Sequence, residues 1–294
     1  MMKKIWKKAA AILMTAALLA GCGQSEETKD ARQTNAAGSE MAAMIIPIAQ
    51  GDPFLTLAYS GVEQLAAEVM KVAPDFPDTK FIVVDCYVTS DLKNVKTMVV
   101  EPQEAAFIAG VVAANSTETG KVSWIGSADQ PVINKFRVGF EAGVKYGNPE
   151  VSCESLYVGD ANDPNKGSEL TKQVIGKGAD IVMHSANKAG LGIIRACEEE
   201  GIKAIGADEW QGAINEEVVF WSALKDITGA VYQAGKSVMD GTFTSGMDTY
   251  NIQSGLRLYD DRDYNKLSDA LKKIVDDTVE KMKNGEIEVP SELE

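Results

Sequence analysis

The feature that most constrains the fold is a regular alternation of short apolar runs with longer stretches of helical periodicity. The runs that read as strands are 44–48, 80–85, 96–100, 121–125, 151–158, 180–184, 203–206 and 218–222. The stretches that read as helices are 55–72, 103–114, 131–146, 164–176, 191–200, 226–240 and, near the C terminus, 267–283. Continuous apolar strands separated by helices predict an α/β fold with parallel sheets covered on both faces. A chain of 294 residues is more than one core needs, so we expect two lobes.

The N-terminal segment is predicted to direct export and is not part of the fold. Four lysines precede the run "AAAILMTAALLA", which is too short to span a bilayer and suits a signal peptide over 1–21. The following "LAGC" resembles a bacterial lipobox, so Cys22 is the expected lipidation site. A plain secretory signal is the alternative. Residues 22–43 are mostly polar and are predicted to form a flexible tether to the membrane.

The charge of the body restricts its partners. Removal of 1–21 takes away four of the 29 basic residues and none of the 43 acidic ones, which leaves a formal charge of 25 − 43 = −18. Such a body is not expected to bind nucleic acid or an anionic bilayer surface. A small ligand should be neutral or cationic.

Neither the cysteines nor the histidine suggests catalysis or metal binding. Cys86, Cys153 and Cys197 are widely spaced and form no C-x-x-C pair, so buried free thiols are expected. The single histidine, His184, ends an apolar run, and the sequence contains no G-x-S-x-G nucleophile motif. We therefore expect no enzyme activity, no metal and no cofactor.

The stretch "KAGLGIIRACEEEGIKAIGAD" partly matches a dinucleotide-binding turn. Gly190 and Gly192 precede a helix, and Asp208 follows the next strand, as in the G-x-G-x-x-G pattern. Arg195 occupies the position of the third glycine. Because an exported protein has little access to NAD, the glycines are better explained by a tight turn or by close approach to a ligand or a packing partner.

Polar and aromatic residues follow many of the predicted strands. In open α/β sheets, ligands bind outside the carboxyl ends of the strands. The residues there are 50–54, 85, 126–129, 185–187, 208–210 and 223–225, and they include carboxylates, aromatic rings, an amide and an amine. This composition predicts a site for a polar small molecule.

A series of motifs in order resembles the basic membrane protein (PnrA-like) family, lipid-anchored substrate-binding proteins of ABC importers. They include "AYSGVEQLAAE", "APDFPDTKFIVVD", "EAAFIAGVVAA", "KAIGADEWQ", "SALKDI" and "NGEIEVP", and they extend over most of 44–290. The resemblance implies a two-lobed, type I periplasmic-binding-protein-like fold whose lobes close on a ligand. In that family the ligand is commonly a purine nucleoside.

The resemblance also implies most of the ligand-binding residues, and the strand-end rule adds Asn187. The candidates are Asp52, Phe54, Asp85, Asn187, Asp208, Trp210 and Lys225. Phe54 would stack on a base and Asp208 would accept hydrogen bonds from ribose hydroxyls. Asp52 would stand in for a family Asp that is Gly here, and Trp210 replaces the second acid of the family's D-x-D-Q.

Five of these residues also have a structural explanation. Phe54 would belong to the core, Asp85 and Asp208 would cap turns, Lys225 would be solvated, and Trp210 would pack on the hinge.

The implied lobes are unequal. The boundaries are 44–100 with 224–250 for the N-terminal lobe, 101–223 for the C-terminal lobe, and 251–294 for the hinge return and last helix. Only residues 69–72 separate two motifs between which the family has about two strands and a helix. Either the first lobe is naturally short or a segment is missing from the sequence.

Two functions remain open at this stage. The first is a solute-binding protein, lipid-anchored at the extracytoplasmic face of the cell membrane, that captures a nucleoside-like or sugar-like molecule for ABC permease subunits. The alternative is an orphan regulatory lipoprotein of the same fold with no transport ligand.

Overall fold

Two parallel β-sheets form the framework of the protein. The computed structural model describes residues 41–44 and 66–293, all within one unit that spans Ser39–Glu294. The first sheet has the order β1-β2-β3-β9, with β1 Met41–Met44, β2 Lys80–Val84, β3 Val95–Val100 and β9 Gly246–Tyr250. The second has the order β5-β4-β6-β7-β8, with β4 Lys121–Gly126, β5 Ser152–Tyr157, β6 Ile181–Ser185, β7 Lys203–Asp208 and β8 Val219–Leu224.

Helices connect most of these strands. They are α1 Gln103–Ser116, α2 Pro131–Gly147, α3 Pro164–Gly176, α4 Ala189–Glu200, α5 Ile227–Met239, α6 Asp261–Tyr264 and α7 Asp269–Lys283. Residues 66–72 are also helical and lead into a 3₁₀ turn at Ala73–Asp75, and a second such turn lies at Ile252–Ser254. The parallel α/β architecture expected from the sequence is therefore confirmed.

Each sheet is covered on both faces. On the second sheet, α1 and α2 pack over Trp124 and Trp221, and α4 packs over Ile125 on the opposite face. The first sheet buries Ile82 against α5 and Val83, its neighbour in β2, against residues 66–73. Adjacent strand residues thus enter different cores, as the period of two in a strand requires.

Two elements differ from the sequence-based expectation. The first strand pairs with β2 over Met41–Met44, so residues 41–43, assigned to the tether, belong to the sheet. The part of the expected strand at 45–48 lies outside the described residues. Strand β9 was not expected, and it pairs with β3 at the edge of the first sheet. Pairing with a neighbouring strand, rather than side-chain apolarity, fixes both boundaries.

The chain passes between the two sheets at 101–102, 225–226 and 251–260, here called the first, second and third crossings. Hydrogen bonds join these segments. The Glu104 carboxylate accepts from the Ile252 N–H at 2.7 Å, and the Leu224 N–H donates to the Leu258 carbonyl at 3.0 Å. Asp226 caps α5 through the Gly229 N–H at 3.0 Å and also accepts from the N–H of Arg257 at 3.2 Å.

Candidate ligand-binding site

Three strand ends carry an acid or amide in a left-handed backbone conformation. Asp85 after β2, Asn187 after β6 and Asp208 at the end of β7 have φ angles of 53°, 50° and 69°. Among the described residues, these are the three non-glycine residues with positive φ. Asp and Asn tolerate this conformation better than other residues, yet it persists only where the surrounding structure enforces it. The fold therefore fixes the backbone positions from which these three side chains extend.

Asp85 and Lys225 form a buried ion pair at the second crossing. Lys225 Nζ lies 2.7 Å from Asp85 Oδ2, and the two side chains are only 6% and 5% exposed. The other oxygen, Asp85 Oδ1, has no hydrogen-bond partner among the described residues. The Lys225 N–H also donates to the Asp208 carbonyl at 2.9 Å. One lysine therefore connects the end of β2 in the first sheet to the end of β7 in the second.

Asp208, the last residue of β7, is exposed to solvent, yet desolvation by the surrounding protein raises the pKa of its carboxylate above the ordinary value. Lys225 acts to lower this pKa, whereas Asp85 and Glu209 act to raise it. Two strand-end carboxylates thus share the field of a single ammonium group, so the site is negative overall and favours hydrogen-bond donors.

Trp210 is held on three sides. Its indole N–H donates to Asp263 Oδ1 at 2.9 Å, and the guanidinium carbon of Arg262 lies 3.5 Å from the ring centroid. Gly212 lies so close to the ring that a Cβ atom there would be 2.6 Å from Trp210 Cζ2. Arg262 is itself fixed by Asp260, which accepts from its Nε at 2.7 Å and from its terminal nitrogen at 3.0 Å.

His184 is a buried, neutral side chain below the strand ends. Gln211 donates its amide hydrogen to the Ala207 carbonyl at 3.1 Å, so its Oε1 accepts from His184 Nε2–H at 2.8 Å. Burial lowers the pKa of His184 to about 4. A Cβ at Gly190 would lie 2.4 Å from His184 Cε1, and one at Gly192 would lie 1.7 Å from the Pro164 carbonyl oxygen. Both glycines lie within α4 rather than in a turn, and they serve close packing.

The structure brings four of the predicted site residues to the carboxyl ends of the strands. These are Asp85, Asn187, Asp208 and Lys225, followed closely in the chain by Trp210. Cys22, Asp52 and Phe54 lie outside the described residues.

Sequence reasoning missed several residues around this site. At the first crossing, Lys135 Nζ donates to Glu101 Oε1 at 2.8 Å and to Glu101 Oε2 at 2.6 Å. The same Nζ lies 5.4 Å from the ring centroid of Tyr87. Glu101 directly follows β3, so the strand-end rule applied to that strand would have found it. Arg262 and Asp263 had no such signal, because they come from a short helix after the third crossing.

Within the described ranges, no group of three histidine, cysteine or acidic residues is arranged to hold a metal ion. Cys153 and Cys197 are free thiols there, and burial raises the pKa of both to about 12. None of the helices in the same part of the chain has both the length and the apolar character needed to cross a bilayer.

The fold is that of two-lobed solute-binding proteins. A crystal structure of an ABC transporter solute-binding protein from Aeropyrum pernix K1 superimposes with a TM-score of 0.63 and 24% identity, covering 76% of this chain and 74% of that one. This similarity confirms the periplasmic-binding-protein-like fold.

The family model described as "ABC transporter substrate-binding protein PnrA-like" matches residues 58–292. Basic membrane protein A of Borreliella burgdorferi is 31% identical over 78% of this chain and 69% of its own length. The ABC transporter nucleoside-binding protein BmpA of Lactococcus lactis subsp. cremoris is 29% identical over 74% of this chain and 66% of its own length. The chain therefore belongs to the PnrA-like family of substrate-binding proteins, and it spans about two thirds of the length of these relatives.

Proposed function

We propose that this chain is the solute-binding component of an ABC importer and captures a purine-nucleoside-like or sugar-like molecule between its two lobes. The observation that carries the proposal is the grouping of Asp208, Lys225 and Asp85 at the strand ends. The nucleoside-binding relative in Lactococcus lactis supports the ligand class. The function is capture and delivery, with no bond made or broken.

The electrostatics of the grouping favour a neutral ligand rich in hydroxyl groups. Asp85 is already paired with Lys225 at 2.7 Å, whereas Asp208 is exposed to solvent. A carboxylate accepts well from two adjacent hydroxyls, as on a ribose. A phosphate brought beside Asp208 and Glu209 would be repelled, so nucleosides should be preferred over nucleotides.

Capture would involve closure of the lobes about the three crossings. A ligand that contacts Asp208 on one lobe and groups on the other stabilises the closed arrangement only as far as it binds that arrangement more tightly. Lys225 lies at the second crossing and contacts Asp85 after β2 and Asp208 at the end of β7, so it would stay in contact with both lobes during closure.

Delivery would occur at the membrane. The "LAGC" motif supports lipid attachment at Cys22 on the extracytoplasmic face, with ABC permease subunits as partners. The variant Cys22→Ser should move the protein from membranes into a soluble exported fraction and abolish fatty-acid labelling. Unchanged membrane association and labelling would contradict the anchor.

A thermal-shift screen with purine nucleosides, free bases and pentoses tests the ligand class. We expect nucleosides to raise the melting temperature in proportion to the logarithm of their concentration, and the matching nucleoside monophosphates to have no effect. The alternative, a regulatory lipoprotein without a transport ligand, predicts no shift with any compound. The observation that favours this alternative is that only residues 69–72 separate two of the family motifs, because a smaller first lobe offers less of the cleft wall.

A further inference from the structure

The loop 208–212, here called the Asp208 loop, begins with a strained residue. Asp208 is the last residue of β7 and has a φ of 69°. Such a conformation costs free energy and persists when neighbouring contacts enforce it. The Glu209 N–H closes a tight turn onto the Ala207 carbonyl at 2.9 Å, and the Gln211 N–H donates to Ser222 Oγ at 3.2 Å. These two amides report directly on whether the loop keeps its shape.

Asp263 is the buried carboxylate that contacts this loop. It is 0% exposed, and its Oδ1 accepts from the Trp210 indole N–H at 2.9 Å. Desolvation raises its pKa, and hydrogen bonds with Trp210 and with Ser222, whose Oγ also accepts from the Gln211 N–H, oppose that shift. A buried carboxylate destabilises a fold unless it is hydrogen-bonded. Its one described side-chain partner in the Asp208 loop is Trp210.

Arg262 closes the other side of the indole. Its guanidinium carbon lies 3.5 Å from the ring centroid of Trp210, and Asp260 holds it through two hydrogen bonds. Asp260 also accepts from the Arg262 N–H at 3.0 Å, so the start of α6 and the cation are fixed together. The ring of Trp210 is consequently clamped between α6 and Gly212.

We infer that Trp210 and Asp263 are positioning residues that hold the Asp208 loop, and with it the Asp208 carboxylate, in the conformation that binds ligand. The inference rests on the proposed function for its ligand-binding part. Because α6 directly follows the third crossing, the hydrogen bond between Asp263 and Trp210 also joins that crossing to the Asp208 loop. Trp210 acts through Asp208 in this account and not by stacking on the ligand.

The test compares four variants by two independent measurements. Trp210→Phe removes the indole donor and keeps an aromatic ring, and Asp263→Ala removes the acceptor. Asp263→Asn keeps an acceptor oxygen without the charge. Tyr264→Phe is the matched control on the same helix, since the Tyr264 hydroxyl bonds Asp276 at 2.8 and 2.9 Å on the side facing α7.

Hydrogen exchange followed by mass spectrometry needs no ligand. Trp210→Phe and Asp263→Ala should accelerate exchange of the Glu209 and Gln211 amides about tenfold or more, with α2 amides unchanged as the internal reference. Asp263→Asn and Tyr264→Phe should exchange as the wild-type protein does. Unchanged exchange in Trp210→Phe, or equal acceleration in α2, would overturn the inference.

Calorimetry with inosine and 2′,3′-dideoxyinosine tests the consequence for binding. Trp210→Phe and Asp263→Ala should weaken inosine binding about tenfold and dideoxyinosine binding far less, because only inosine offers the hydroxyls that Asp208 accepts. Combining either variant with Asp208→Ala should weaken inosine binding no further than Asp208→Ala alone does. Equal weakening of both ligands would overturn the positioning role. If the wild-type protein binds neither ligand, the ligand proposal fails, and the exchange experiment still decides whether the clamp holds the loop.

Discussion

The buried pair between Lys225 and Asp85 gives the sharpest test of how the two sheets are joined. The side chains of Lys225 and Asp85 are 6% and 5% exposed, and Lys225 Nζ lies 2.7 Å from Asp85 Oδ2. The other oxygen, Asp85 Oδ1, has no hydrogen-bond partner among the described residues. Removing one partner of such a pair leaves an uncompensated charge and costs about 3–5 kcal/mol. Lys225→Met should therefore lower the free energy of unfolding by about that amount at pH 7, and urea unfolding followed by circular dichroism measures it.

The double variant Lys225→Met/Asp85→Asn removes both charges, and asparagine tolerates the φ of 53° at position 85. Because no uncompensated buried charge is left, the double variant should recover most of the stability that Lys225→Met loses. The matched control is Lys172→Met, since Lys172 binds Glu199 at the same 2.7 Å but both side chains are 47% exposed. Lys172→Met should lower the free energy of unfolding far less than Lys225→Met does, because solvent screens the exposed pair. The single variant Asp85→Asn completes the cycle. If its loss and that of Lys225→Met add up in the double variant, to within about 0.5 kcal/mol, the coupling is refuted.

Three further predictions concern the burial of His184, the packing of Gly192 and the binding of NAD. His184 is the single histidine of the sequence, and its pKa of about 4 lies below the ordinary 6.5, so the unfolded chain takes up the proton first. Stability should then fall by roughly 3 kcal/mol as the pH drops from 6.5 to 4, His184→Gln should flatten this slope, and an imidazole resonance that titrates near pH 6.5 in the folded protein would contradict the burial. Gly192→Ala should destabilise by about 1–3 kcal/mol in urea unfolding, because its Cβ would meet the Pro164 carbonyl, whereas Gly176→Ala meets nothing within 4 Å and should be nearly neutral; equal effects would refute the packing argument. Titration with NAD should give no saturable change in tryptophan fluorescence, and saturation at micromolar concentration would restore the dinucleotide interpretation of the G-x-G motif.

The sequence predicted most strands and helices because parallel strands covered on both faces are continuously apolar. It failed at β9 at the edge of a sheet, where residues 246–249 alternate between half-buried and exposed, Tyr250 is buried, and the apolar signal is weak. Helix α6 was also missed, since Asp261–Tyr264 is too short to show a period. In both cases the contact that stabilises the element comes from a distant part of the chain.

The strand-end rule found the acids and the lysine of the candidate site, but not how they pair. Lys225 and Asp85 are 140 positions apart, so no local spacing could reveal their contact. Nor could the sequence show that the Trp210 donor is used by Asp263, because that depends on where the third crossing places α6. Position along a strand is encoded locally, whereas the partners of a buried polar group are set by the tertiary fold.

The most direct test of the central claim is calorimetry of the wild-type protein and Asp208→Ala with inosine and 2′,3′-dideoxyinosine. A hydrogen bond to a charged acceptor contributes about 1.5–3 kcal/mol, and 1.4 kcal/mol is a tenfold change in Kd. Asp208→Ala should therefore weaken inosine binding about tenfold to hundredfold, weaken dideoxyinosine binding little, and leave the melting temperature of the unliganded protein nearly unchanged. Equal weakening of both ligands, or a loss confined to the melting temperature, would show that Asp208 caps a turn and that the ligand site lies elsewhere.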